Sequence, residues 1–288
     1  MHVNDRTLKA RDGTTIAWGM AGEGPPLVFV NGYTTSHFFW RYILERFVPQ
    51  ATCITWDYPG HGRSEPARSD DGCTVPALMD DLRRVMDAAG VERAPLLGFS
   101  MGCQMVLEAW RHIPDRISAI LPILGPYEHM LDTVFGWPFN VSLQRIMRTG
   151  RDPGLGAGMA LVIQLMHRSF AYRLGQLMTI VGPDAPREDV SVYMNHFEVL
   201  DTRTMRLIGL NAQAHSARDL LPTITVPVLI VAGLKDVFSP GHLGEEAHSQ
   251  IPTSELLVLP HGTHTSLWEH PDEIGGAAES FLRRHGLL

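Results

Sequence analysis

The run Ala94-Pro95-Leu96-Leu97 leads without a break into Gly98-Phe99-Ser100-Met101-Gly102, and a helix-forming stretch from Gln104 to Arg111 follows. A G-x-S-x-G pentapeptide is common by itself; its position between a buried-looking strand and a helix is what constrains the chain. Such a reversal forces its turn residue into a strained backbone conformation and lifts that side chain above the sheet. Gly98 and Gly102 carry no side chains to collide as strand and helix fold back on each other. The N–H of Met101 then lies at a helix N-terminus, where the dipole favours negative charge. One turn thus offers a nucleophile, Ser100, and one oxyanion donor, Met101. The competing reading is a serine in an ordinary glycine-rich loop, and the rest of the chain must separate the two.

Short apolar runs bounded by turn residues recur, with helical patterns between them. Thr15–Met20, Leu27–Asn31, Thr52–Asp57, Pro95–Phe99, Ile117–Leu124, Val226–Ala232 and Glu255–Leu259 read as strands. The later runs are continuous rather than alternating, as parallel strands covered on both faces should be. From Val75 to Ala89 the residues Leu78, Leu82, Val85, Met86 and Ala89 share one helical stripe, with Thr74 as N-cap and Gly90 as stop. Alternating strands and helices predict an α/β fold with a mostly parallel sheet flanked by helices, and ligands in such sheets bind at the carboxyl ends of the strands. The stretch 126–221 breaks the rhythm, with helical patterns at Ser142–Arg148, Met159–Leu177, Asp189–Leu200 and Thr204–Ala214. Seven of the 13 methionines lie there, beside Phe135, Trp137, Phe139, Phe170, Tyr172, Tyr193 and Phe197. The expected organisation is a core of residues 1–125 and 222–288, with 126–221 as a helical cap. Most of the cap's apolar residues pack its own interior, and a minority line an adaptable apolar pocket.

Composition excludes several partners. A net charge of −7 with no basic run argues against nucleic acid. No apolar stretch approaches the roughly 18 residues of a membrane span, and the first residues lack a signal-peptide core. Cys53, Cys73 and Cys103 are sparse and lack metal-ligand spacing, which fits a reducing cytoplasm. Cys103 reads as packing volume behind Ser100. Gly154-Leu155-Gly156-Ala157-Gly158 imitates a nucleotide loop, but position 159 is Met and no strand precedes it, so a hinge in the cap is expected. Neither a cofactor nor a metal is called for.

A serine hydroxyl needs a base to take its proton and a carboxylate to orient that base. Asp236 follows the run Val226–Ala232 and His264 follows Glu255–Leu259, so each lies in a loop leaving a strand. The order Ser100, Asp236, His264 is that of an α/β-hydrolase triad. His261, His242 and His270 compete for the base, and Glu128 and Asp132, after Ile117–Leu124, compete for the acid. His264 and Asp236 rank first. The second oxyanion donor should follow an early strand, and Val28-Phe29-Val30-Asn31-Gly32-Tyr33 supplies the N–H of Tyr33. Asp57-Tyr58-Pro59-Gly60-His61-Gly62-Arg63-Ser64 is a further Gly/Pro-rich turn with no evident chemistry.

Taken together, Asn31-Gly32-Tyr33, Asp57 to Ser64, Gly98 to Gly102, Gly233 to Asp236 and His264 to Pro271 resemble the α/β-hydrolase superfamily over nearly all of the chain except the cap. The resemblance extends to single-domain serine esterases, cofactor-free haloperoxidase-like enzymes and C–C bond hydrolases. Asn31 replaces the usual His and Cys103 the usual second Gly. Ser rather than Asp at position 100 separates the chain from haloalkane dehalogenases and epoxide hydrolases. The implied activity is hydrolysis of a small-to-medium apolar carboxylic ester, a small-molecule substrate. Lactone hydrolysis, C–C bond hydrolysis, and perhydrolysis or acyl transfer are the alternatives on the same triad. A ligand-binding protein without catalysis is the alternative from another class.

Overall fold

The computed structural model describes residues 5–134, 139–149, 169–177 and 181–288. Eight strands form one sheet: β1 (Arg6–Lys9), β2 (Thr15–Ala21), β3 (Pro26–Val30), β4 (Thr52–Trp56), β5 (Ala94–Phe99), β6 (Ile117–Ile123), β7 (Val228–Gly233) and β8 (Ser254–Leu259). Their order is β1-β2-β4-β3-β5-β6-β7-β8. β3 through β8 run parallel, whereas β1 and β2 pair antiparallel at one end. This is the α/β architecture expected from the strand–helix alternation.

Continuous apolar runs let each central strand feed two cores. Val28, Val30 and Leu96 pack in one layer with Leu82, Met105 and Val106. Leu27, Phe29, Leu97 and Phe99 pack in the opposite layer with Ile43, Phe47 and Phe281. Helices α2 (Val75–Ala88), α3 (Met101–His112) and α8 (His242–Gln250) cover the first face, and α1 (Arg41–Phe47) and α10 (Pro271–Arg284) the second. Burying each large aliphatic or aromatic side chain contributes about 1.5–3 kcal/mol, so both faces must be covered for strands of this composition to be stable.

Local signals were partly right. Gly90 closes α2 with φ +69, the left-handed geometry that ends a helix. Thr74 occupies the N-cap but its hydroxyl donates to the Asp71 carbonyl (2.8 Å) instead of accepting from the helix. β1 was not expected: its four residues, Arg-Thr-Leu-Lys, hold one apolar side chain, and pairing with β2 alone makes them a strand.

Between β6 and β7 the described residues form α4 (Phe139–Thr149), α5 (Ser169–Leu177), α6 (Arg187–His196) and α7 (Thr202–Ala214). The first part of the helix expected from Met159, the glycines 154–158, Phe135 and Trp137 lie outside the described residues. Ile208 and Ala212 of α7 join the first core, and Val190 and Met194 of α6 the second. Among the described residues no helix is long and apolar enough to cross a membrane.

Candidate active site

The strand order places a crevice beside β3. The chain leaves β3 through α1 toward β4, then returns across β3 through α2 to reach β5. Loops leaving β3 and β5 therefore diverge at their carboxyl ends, the position where open α/β sheets bind ligands. Tyr33 and Ser100 stand on those two loops.

Ser100 is the N-cap of α3 with φ 54 and ψ −122, a backbone conformation L-residues rarely adopt. The flanking glycines permit it by close approach. A Cβ on Gly98 would lie 2.3 Å from the Gly102 carbonyl oxygen, and one on Gly102 2.4 Å from that of Val30. The Ser100 N–H is held by the Ile123 carbonyl of β6 at 3.1 Å. Behind it, Cys103 is buried and its Sγ donates to the Gly98 and Ile123 carbonyls, both at 3.3 Å. Burial pushes the Cys103 thiol well up, so it stays protonated and serves as packing.

Loops after β5, β7 and β8 bring three side chains into line. His264 Nε2 lies 2.9 Å from Ser100 Oγ, and His264 Nδ1 lies 2.8 Å from Asp236 Oδ2. The other Asp236 oxygen accepts the backbone N–H groups of Phe238 (2.8 Å) and Ser239 (2.9 Å). Those bonds orient a carboxylate whose side chain is fully buried. An acceptor at Nδ1 requires the proton there, which leaves the Nε2 lone pair facing the hydroxyl. The rings of Phe99 and Phe238 flank the imidazole at 5.1 and 4.8 Å.

The competing residues lie elsewhere or are otherwise engaged. His261 and His242 are exposed. Glu128 accepts from Arg218 and Ser216, and Asp132 accepts from Gln213 Nε2 and Gln144 Nε2. Among the described residues no group of three or more His, Cys, Asp or Glu side chains is arranged to hold a metal ion.

Met101 opens α3, so its N–H has no carbonyl partner within the helix. Gly32 presses its backbone against Ser100: a Cβ there would sit 3.0 Å from Ser100 Cβ. Tyr33 is the next residue in that loop. Tyr33 anchors this loop through its hydroxyl, which donates to the Met205 carbonyl of α7 (3.0 Å).

The turn with no evident chemistry turns out to hold the loop that carries Tyr33. Asp57, fully buried, accepts from Ser36 Oγ and from the Arg63 N–H (3.1 Å). Asn31 Nδ2 donates to the Trp56 carbonyl, while Asn31 Oδ1 accepts from Trp40 Nε1 at 3.1 Å. Tyr58 donates to the Asn31 carbonyl at 2.8 Å. Asn31 thus satisfies a donor and an acceptor at once. Sequence reasoning missed this because the bonds joining the turn to Asn31 and Ser36 span 21 to 27 residues; a charged residue directly after a buried strand was the available signal. His61, in the same turn, is buried and donates from Nδ1 to the Pro59 carbonyl (2.9 Å). Burial lowers its pKa, and burial also pushes that of His196 on α6 down to about 4 with His61 and His37 adding to the effect. Both imidazoles are neutral at pH 7.

Comparison with known proteins agrees with the architecture. A family model for the alpha/beta hydrolase fold matches residues 25–271. Over 275 residues the chain is 22% identical to a pimeloyl-[acyl-carrier protein] methyl ester esterase of Aliivibrio salmonicida, covering 94% of this chain and 97% of that one. An esterase from Exiguobacterium antarcticum superposes with a TM-score of 0.75 at 22% identity, covering 96% and 98% of the two chains. The enol-lactonase from Burkholderia xenovorans superposes with a TM-score of 0.77 at 21% identity, covering 96% and 100%. At such identities the superpositions speak for the fold, and the family model, spanning most of the chain, places it: the chain belongs to the alpha/beta hydrolase fold family.

Proposed function

We propose that this protein is a serine hydrolase that cleaves small-to-medium, largely apolar carboxylic esters through an acyl-enzyme. The observation that carries the reading is His264 bridging Ser100 at 2.9 Å and Asp236 at 2.8 Å. Ser100 Oγ attacks the ester carbonyl carbon while His264 Nε2 takes the hydroxyl proton. Asp236 remains a carboxylate, holds Nδ1–H and stabilises the imidazolium. The N–H groups of Tyr33 and Met101 receive the oxyanion, each donor worth about 3–4 kcal/mol at the transition state. Collapse expels the alcohol, which takes the proton from His264. Water, deprotonated in turn by His264, then releases the acid and restores Ser100. The described helices between β6 and β7 act as part of a cap of residues 126–221. The names carried by relatives, a methyl ester esterase and an enol-lactonase, support acyl-oxygen cleavage as the reaction class.

The test is a panel of p-nitrophenyl esters of rising chain length, run beside lactones and a peracid assay, with wild type and Ser100→Ala. Wild type should favour short-to-medium acyl chains and accept a fluorophosphonate label at Ser100. Ser100→Ala should fold, refuse the label and lose turnover by several orders of magnitude. Near-normal ester turnover in folded Ser100→Ala protein would sink the assignment.

A further inference from the structure

The loop carrying His264 is held by a carboxylate outside the three residues just described. Glu269, half-buried at the end of α9 (Ser266–Glu269), lies between two threonines that flank the histidine. Thr263 Oγ1 is 2.9 Å from Glu269 Oε1 and 3.0 Å from Oε2, and Thr265 Oγ1 is 2.6 Å from Oε1. A carboxylate only accepts, so both hydroxyls can donate to Glu269, and the two Oγ1 atoms also lie 3.0 Å apart, within hydrogen-bond distance of one another. The hydroxyl lone pairs then accept backbone N–H groups: Thr265 N–H to Thr263 Oγ1 at 3.2 Å, and Gly182 N–H to Thr265 Oγ1 at 2.9 Å. Both threonines are buried. Ser266 Oγ closes the turn on the Thr263 carbonyl at 2.8 Å.

The Gly182 bond gives the network its reach. Gly182 belongs to the segment between β6 and β7, not to the sheet. A Cβ at Gly182 would fall 1.5 Å from Glu269 Oε1, so any side chain there would push the carboxylate out of its present place. A chain of hydrogen bonds therefore runs from the Gly182 backbone through the Thr265 hydroxyl to the Glu269 carboxylate, with His264 immediately before Thr265.

We infer that Glu269 is a positioning residue: it locks Thr263 and Thr265 on either side of His264 and ties that loop to the segment between β6 and β7. The inference rests on the reading of His264 as general base. Loop displacement at the ångström scale costs roughly a hundredfold in rate when a catalytic group depends on near-attack geometry. Removing the carboxylate frees both hydroxyls and the Gly182 anchor, so kcat should fall while substrate binding stays.

The experiment measures kcat and KM on one activated ester, with the downfield proton resonance of the His264 Nδ1–H, for Glu269→Ala, Glu269→Gln and Thr265→Val. Glu269→Ala should lose roughly 10- to 100-fold in kcat, hold KM within about twofold, and shift or broaden that resonance. Glu269→Gln should recover most of the loss, because Oε1 can still accept both hydroxyls. Thr265→Val keeps the residue's shape, removes one donor and the Gly182 anchor, and should fall between; it decides the matter by the same readouts should Glu269→Ala fail to fold. Unchanged kcat in the folded variants overturns the inference, as does a loss that leaves the resonance unmoved and is not rescued by Gln. Ser100→Ala run alongside separates the two readings. Turnover surviving there sinks the triad itself, whereas an inactive Ser100→Ala beside unaffected Glu269 and Thr265 variants sinks only the role of Glu269.

Discussion

Asp81 is a carboxylate on α2 that is only 2% exposed, and burial, with Asp80 and Asp12 nearby and Arg84 opposing, pushes its pKa up from 3.8 to about 7. Below pH 3.8 both folded and unfolded chains hold this proton, and Asp81 contributes no pH dependence. Between there and about pH 7 the folded chain keeps a proton that the unfolded chain has released, so stability falls as pH rises. A shift from 3.8 to about 7 corresponds to a penalty of about 4 kcal/mol, fully present by pH 8. Asp81→Asn supplies a neutral side chain of the same shape at every pH. Its stability relative to wild type should therefore grow from near zero at pH 4 to about 4 kcal/mol at pH 8. For a domain of this size that is a Tm difference of roughly 7 °C. Urea unfolding of both proteins at matched pH values from 4 to 8 reads the difference directly. Taking that difference cancels carboxylates that do not interact with Asp81, such as Glu108, whose lowered pKa gives stability lost as pH falls. Wild type and Asp81→Asn curves that run parallel across this range would refute the reasoning.

Two further substitutions test the residues around Ser100. Asp236→Asn should keep its oxygen on the Phe238 and Ser239 N–H groups and turn an amide donor toward His264 Nδ1, moving the imidazole proton to Nε2 where it blocks the base. Steady-state kinetics should show kcat down by roughly 10⁴-fold, with Glu128→Gln, removed from the site by its pairing with Arg218, staying near wild type. Asp57→Asn should cost about 1–3 kcal/mol of stability by weakening the Ser36 and Arg63 bonds, and lower kcat through the loop that carries Tyr33. Chemical unfolding and single-turnover acylation measured together check both effects, and unchanged acylation in a destabilised protein would remove Asp57 from any part in the reaction.

What the sequence made legible followed from local rules. Strands β3, β5 and β7 are continuous apolar runs and β8 ends in one, and Ser100, Asp236 and His264 each stand in the loop leaving β5, β7 or β8, so the parallel arrangement brings those loops to one edge. Ser100 could be singled out because the strand, the glycines and the helix all bear on the same turn. The supports of these residues were not legible, because a side chain's partner is fixed only once the chain has folded. Nothing local to Asp57 points to Ser36, and nothing in Glu269 points to Gly182, 87 positions earlier. β1 was hidden for a related reason, since its structure is supplied by a neighbour rather than by its own residues. Asn31, met as a departure from a familiar pattern, works because an amide both donates and accepts in a pocket that asks for both.

The backbone of Ser100, with φ 54, has a bearing on how this chain could be altered. A strained non-glycine residue costs on the order of 1–3 kcal/mol, and glycine at the same place relaxes it. The exchange that would most ease the fold at this position also deletes the hydroxyl. Heat resistance and turnover are set against one another at a single residue. A search for hardier variants that ranks substitutions by stability alone would choose the inert chain, so any such campaign must assay reaction at every round.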